Sequence, residues 1–279
     1  VDLILAENIH GAAARARAVL GESTASRIGL VETSIGKMVP IMPAEIREQD
    51  PLLCWAEPYN TLIVDRSGFL GPVPKVPSLK AVSPIGPWVD RKLYIHNMGH
   101  AAAAYLGYAN IPEAEYIWEV LSVASIRLAV RAAMDCSANA LAHAYPASFT
   151  RAELEEHVED LLARFQNRAL GDTVYRVGRD VPRKLRRHDR IVGAIALCRT
   201  QGVDPAPILP VFRAALSFDK RAADGTRLPS DAEFREAITD HGTTLASKRE
   251  EYAAWILNDV VGIGATEPEL RGLLSEALR

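Results

Sequence analysis

The feature that most constrains this chain is a change of pattern near residue 88. Upstream, short apolar runs are cut by glycine and proline; downstream, apolar residues recur at three- and four-residue spacing with few breaks. That spacing predicts helices over 92–108, 113–145, 151–165, 185–200, 207–216, 230–241 and 247–262. Thr150-Arg-Ala-Glu153 and Ser230-Asp-Ala-Glu233 have the capping-box pattern, and Pro268 suits the first turn of a last helix. Upstream, Val1-Asp-Leu-Ile-Leu-Ala reads as a buried strand and the alanines of 11–20 favour a helix. Residues 28–42 are short apolar runs, while 52–58 and 61–65 read as a pair of strands. The Pro- and Gly-rich 66–87 reads as a loop or linker. The expected architecture is mainly α: a β-containing portion over 1–87, then a multi-helix domain over 88–279.

The bulk numbers exclude several classes. In 279 residues, 48% are apolar and 24% charged, which is the balance of a globular protein. A net charge of −3 argues against a general nucleic-acid or membrane-surface binder. No run of about 18 apolar residues and no signal-peptide pattern occurs, so a cytoplasmic location is expected. Cys54, Cys136 and Cys198 have no metal-ligand spacing and read as buried free thiols. The chain opens on a core strand with a residue other than Met, so it is expected to be a piece of a longer protein.

Lys92, Asn97 and His100 place an amine, an amide and an imidazole within nine residues at the head of the Ala-rich helix. At about 100° per residue, Asn97 and His100 lie one turn apart and Lys92 falls roughly 80° from His100. A desolvated lysine is readily neutralised and made basic, and an amide stabilises an oxyanion without titrating. The trio suits removal of a proton from an alcohol; taken singly, Lys92 is better explained as a solvated helix-start charge and His100 as a packed core histidine. A second cluster, Arg176-x-x-Arg179-Asp-Val-Pro-Arg183-Lys184, reads either as a solvated basic loop or as a clamp for a phosphate or carboxylate. His96 reads as a helix-surface residue.

Lys92-x4-Asn97-x2-His100 resembles the signature of the polyol-specific long-chain dehydrogenases, the mannitol dehydrogenase family. The likeness extends to Ala6-Glu7-Asn8 after a strand, to Glu57-Pro58-Tyr59, and to Ile63-Val64-Asp65. Arg91-Lys92-Leu93, Ala104-Tyr105-Leu106-Gly107, Arg164-Phe165-x-Asn167, Asp172 and the stretch from Arg176 to Arg190 are most similar to its mannitol-1-phosphate branch.

The resemblance implies a helical domain like the C-terminal one of the 6-phosphogluconate dehydrogenase superfamily. It also implies hydride transfer between a sugar-alcohol phosphate and a ketose phosphate, with NAD and no metal, in a monomer or homodimer. Lys92 would be the general base, Asn8 and Asn97 the amides on the alkoxide, and His100 a substrate-orienting group. Arg176, Arg179 and Lys184 would contact the substrate. Two departures stand out. Gly36 and Lys37 fill the places of the family's Asp-Arg, with Glu32 a nearby acid that could substitute. No G-x-G-x-x-G occurs, so NAD is expected to be held mainly by sequence outside this chain, and the chain alone to be inactive. The rival expectation is a non-catalytic binding or regulatory protein that retains the helical domain; hexuronate reduction is a third.

Overall fold

The computed structural model describes residues 1–7, 11–40, 42–244 and 249–278. It divides into two compact units, Val1–Lys92 and Leu93–Arg279.

The first unit is built on a four-stranded sheet in the order β1-β2-β3-β4, with β1 Asp2–Leu5, β2 Gly29–Ile35, β3 Leu62–Asp65 and β4 Leu79–Val82. β1 and β2 are parallel, and helices Ala12–Leu20 and Glu22–Ala25 make the crossover that a parallel pair requires. β2 pairs antiparallel to β3, which pairs parallel to β4. Flanked on both sides, β2 is buried from Gly29 to Ser34, so its polar Thr33 and Ser34 need partners. The Thr33 hydroxyl donates to Leu5 O at 2.8 Å and that of Ser34 to Trp88 O at 3.1 Å.

Several expectations fail in this unit. The first strand forms but is not buried: β1 is at the sheet edge, and its Leu3 and Ile4 are exposed. Residues 52–58 form no strand: the Asp50 carboxylate accepts the Leu52 amide at 3.0 Å in a local turn, and Leu52 is left exposed. The partner of β3 is instead β4, which follows the last proline of the 72–77 stretch and lies inside the supposed linker.

The second unit is helical and centred on Met98–Asn110. Met98, Gly99 and the whole run from Ala101 to Gly107 are buried, so mainly the C-terminal end of this helix reaches solvent. It packs against helices Ile117–Ser122, Ala124–Ala144, Val174–Gly178 and Leu209–Leu216. Gly99 and Gly107 permit the approach: a Cβ at Gly99 would stand 2.5 Å from Met134 Sδ, and one at Gly107 2.5 Å from Val120 Cγ2. Ala124–Ala144 packs in turn on Arg151–Phe165 and Val192–Thr200.

Arg151–Phe165 has the bounds expected, with its capping box intact: Thr150 Oγ1 accepts the Glu153 amide and Glu153 Oε2 accepts that of Thr150. The single helix expected over 113–145 is two. The Ser122 hydroxyl takes Glu119 O at 2.6 Å, and Val123 is extended before Ala124–Ala144 begins. The helix expected from 185 begins at Val192. The next is Leu209–Leu216. Pro229–Thr244 starts one residue before Ser230, so that serine is not its cap. Arg249–Trp255 runs into a π-helical turn, Ile256–Val261, and Pro268–Ala277 is the last helix. No helix among the described residues is long and apolar enough to cross a membrane.

Candidate active site

Lys92 to Asn97 is π-helical rather than α-helical, continuing directly into Met98–Asn110. In an α-helix, residues five apart diverge by about 140°. With i→i+5 bonding at about 80° per residue, they diverge by only about 40°. The wide turn therefore brings Lys92 and Asn97 to one face, and His100, three α-helical residues further on, shares it. The sequence-derived separation of Lys92 from His100 is corrected accordingly. The same turn carries His96 inward, where it is buried rather than on the surface.

His100 is stacked on an aromatic ring and approaches a carboxylate. Its ring stacks on Phe165 at 4.6 Å with planes 6° apart, and Nε2 stands 3.3 Å from Asp172 Oδ2. Asp172 is 4% exposed, so its charge needs compensation. Its other oxygen accepts the Arg176 guanidinium. The backbone of Asp172 is clipped in place as well: its carbonyl accepts the Ile117 amide at 2.9 Å, and Tyr116 bridges Thr173. One buried carboxylate thus joins the imidazole of the first sequence motif to the guanidinium of the second. Asp172 is the residue that motif reading passed over as a candidate site residue. Its signal was the i,i+4 spacing to Arg176, which is common on helix surfaces and so carried little weight.

The basic cluster is not a solvated loop. It forms two short helices, Val174–Gly178 and Val181–Lys184, joined through Arg179 and Asp180. Arg179 is exposed, whereas Arg176 is partly buried. Burial, and then the charge of Arg179, pull the Arg176 guanidinium below its ordinary pKa. Lys184 is buried, and its Nζ donates to Val177 O at 2.6 Å and to Arg179 O. Burial, with Arg190 and Arg183 nearby, lowers its pKa well below the ordinary lysine value. A neutral amine retains two N–H donors, enough for both carbonyls.

Asn8 lies outside the described residues. Gly36 follows β2, and a Cβ there would stand at an ordinary 3.5 Å from Tyr59, so packing does not demand glycine. The carboxylate of Glu32 accepts the Gly11 amide at 2.9 Å, at the start of helix Ala12–Leu20. That bond bears on NAD. A carboxylate already holds the amide of Gly11, the N-cap of the helix in the β1–β2 crossover, and its charge would repel a pyrophosphate there. The described residues at this turn do not fit the cofactor's phosphates. Among the described residues, no cluster of His, Cys, Asp and Glu could hold a metal ion.

Comparison with known proteins follows the same segments. The mannitol dehydrogenase C-terminal domain matches residues 84–266. Mannitol-1-phosphate 5-dehydrogenase of Paenarthrobacter aurescens is 38% identical over 65% of this chain and 48% of its own length. The enzyme of the same name from Bacillus velezensis is 29% identical over 100% of this chain and 69% of its own. The chain spans about half the length of the first of these relatives. Among solved structures, Pseudomonas fluorescens mannitol 2-dehydrogenase in ternary complex with NAD and D-mannitol superposes with a TM-score of 0.68. It is 16% identical, over 99% of this chain and 59% of that one. A substrate-free D-sorbitol dehydrogenase gives 0.70 at 15% identity, with the same coverage. The matched region holds the π-turn, the buried helix and the Asp172-linked cluster, and the chain belongs to the mannitol dehydrogenase family.

Proposed function

We propose that this chain is the polyol-handling portion of an NAD-dependent oxidoreductase that interconverts a sugar-alcohol phosphate and a ketose phosphate, mannitol 1-phosphate and fructose 6-phosphate. The observation that carries the reading is the His100–Asp172–Arg176 linkage, which ties a hydroxyl-orienting imidazole to the Arg176 guanidinium. A phosphorylated polyol offers both partners, hydroxyls for the first and a dianion for the second. The names of the relatives support mannitol 1-phosphate as one of the two substrates.

In this reading Lys92 takes the hydroxyl proton, and the amides of Asn97 and Asn8 stabilise the alkoxide. His100, held by Phe165 and Asp172, orients the neighbouring hydroxyls. NAD supplies the hydride acceptor and is held mainly by sequence outside this chain, so the chain alone is inactive. Arg176 and Arg179 bind the phosphate, while Lys184 serves from within by holding the backbone that presents them. Residues 1–87 are the connector and remnant of a nucleotide-binding domain; residues 88–279 are a catalytic domain of the 6-phosphogluconate dehydrogenase C-terminal type.

The test is NADH oxidation by the protein as encoded, against fructose 6-phosphate, fructose and tagaturonate. A preference for fructose 6-phosphate is expected. Fructose as the better substrate would point to a mannitol 2-dehydrogenase, and tagaturonate to a hexuronate reductase. Turnover of none of the three would leave a non-catalytic binding or regulatory protein.

A further inference from the structure

The turn between the two short basic helices is unusual in its backbone. Asp180 has φ 66°, and among the described residues it alone occupies that region without being glycine. Asp enters this region more readily than most L-residues, and here its surroundings hold it there. The holding group comes from elsewhere in the chain. Asp231, on helix Pro229–Thr244, is 8% exposed, and its carboxylate accepts two consecutive amides: Asp180 N to Oδ2 and Val181 N to Oδ1, each at 2.8 Å.

The rest of the turn is pinned from other sides. The Tyr105 hydroxyl donates to Gly178 O at 2.9 Å, and Lys184 Nζ takes the carbonyls of Val177 and Arg179. Every backbone carbonyl from 177 to 179, and both following amides, is therefore committed. Arg179 is the residue left with its side chain exposed, one position before the strained one. Its guanidinium direction follows from the turn, because no regular helix runs through Arg179 to set it. Asp180 itself is drawn the other way, with its carboxylate on Arg183.

We propose that Asp231 is a positioning residue for substrate binding: by holding Asp180 and Val181, it sets the spacing of Arg179 from Arg176. This rests on the reading of those arginines as an anion clamp. It adds that the clamp's geometry is decided by a carboxylate some fifty residues away in the chain, on helix Pro229–Thr244. An Asp231→Asn side chain has the same shape but turns one acceptor into an NH2 group facing an amide, so one of the two bonds is lost.

The experiment compares wild type, Asp231→Asn, Asp231→Glu and Arg179→Ala in the protein as encoded. It measures KM and kcat for fructose 6-phosphate, the inhibition constant of inorganic phosphate, and the melting temperature. For Asp231→Asn the expected result is a KM and a phosphate inhibition constant both raised about tenfold, the loss of one charge-assisted bond. The change in kcat should stay within about threefold. Asp231→Glu, which keeps two acceptor oxygens, should recover part of both. An unchanged KM in Asp231→Asn, with Arg179→Ala raising it, would overturn the proposal while leaving the clamp intact. If Arg179→Ala leaves KM and phosphate inhibition unchanged, the clamp reading itself falls. A loss of kcat together with melting temperature, in both Asp231 variants, would make the residue purely structural and overturn the proposal as well.

Discussion

At the scale of single residues, the side chains singled out by sequence divide by burial rather than by type. Arg179 is exposed and Lys184, five positions on, is buried with two carbonyl partners, although both are cations of the same cluster. The difference is measurable. With its folded pKa held below the ordinary 10.5 by burial, Lys184 binds fewer protons folded than unfolded across that interval. Stability therefore rises with pH through the window and is lost as pH falls through the depressed value. Urea midpoints taken between about pH 7 and about pH 10 should show wild type gaining on Lys184→Met. A constant difference would mean that the amine titrates normally. Near neutral pH the variant should lose about 1–3 kcal/mol, because Val177 O and Arg179 O keep no donor from this side chain. Lys92→Ala belongs to the same scale. As the proposed base, its loss should cost about 100- to 10,000-fold in turnover with NADH binding nearly intact, measured by fluorescence titration. Unchanged turnover would remove Lys92 from that role.

Among the elements, close packing of the central helix is the main determinant. Met98–Asn110 could be recognised as a helix from its alanines, but its two glycines weaken a helix on propensity alone. Their purpose lies in what approaches them. Gly107→Ala would drive a methyl into Val120 and should cost about 1–3 kcal/mol. Adding Val120→Ala should give part of that back, a non-additivity that thermal melts of the double-mutant cycle would detect. A Gly107→Ala variant as stable as wild type would mean that the helices can part without cost. The π-turn ahead of this helix was not legible for a related reason. Lys92 to Asn97 has no composition that distinguishes i→i+5 from i→i+4 bonding, yet the choice moves Lys92 relative to His100.

Across the whole molecule, the thiols give a simple check on the packing. Cys54 is exposed, contrary to its reading as a buried thiol, whereas Cys136 and Cys198 are buried with sulfurs 3.5 Å apart. An aromatic disulfide reagent should therefore label one thiol rapidly in native protein and the other two only on unfolding. Rapid labelling of all three would mean that the helices Ala124–Ala144 and Val192–Thr200 separate readily.

What the sequence determined by itself was whatever depends on near neighbours along the chain. The apolar period fixed the helical portion beyond residue 88, Thr150 and Glu153 fixed the start of Arg151–Phe165, and the ordered motifs pointed to the family. Tertiary structure alone decided the rest. β3 pairs with Leu79–Val82 rather than with 52–58 because backbone groups find partners by proximity and not by pattern. Asp172 reaches His100, and Asp231 reaches Asp180, across gaps of about seventy and about fifty residues. A buried carboxylate must be paired, but its partner is whichever cation or amide the fold brings near, and no local pattern encodes that choice.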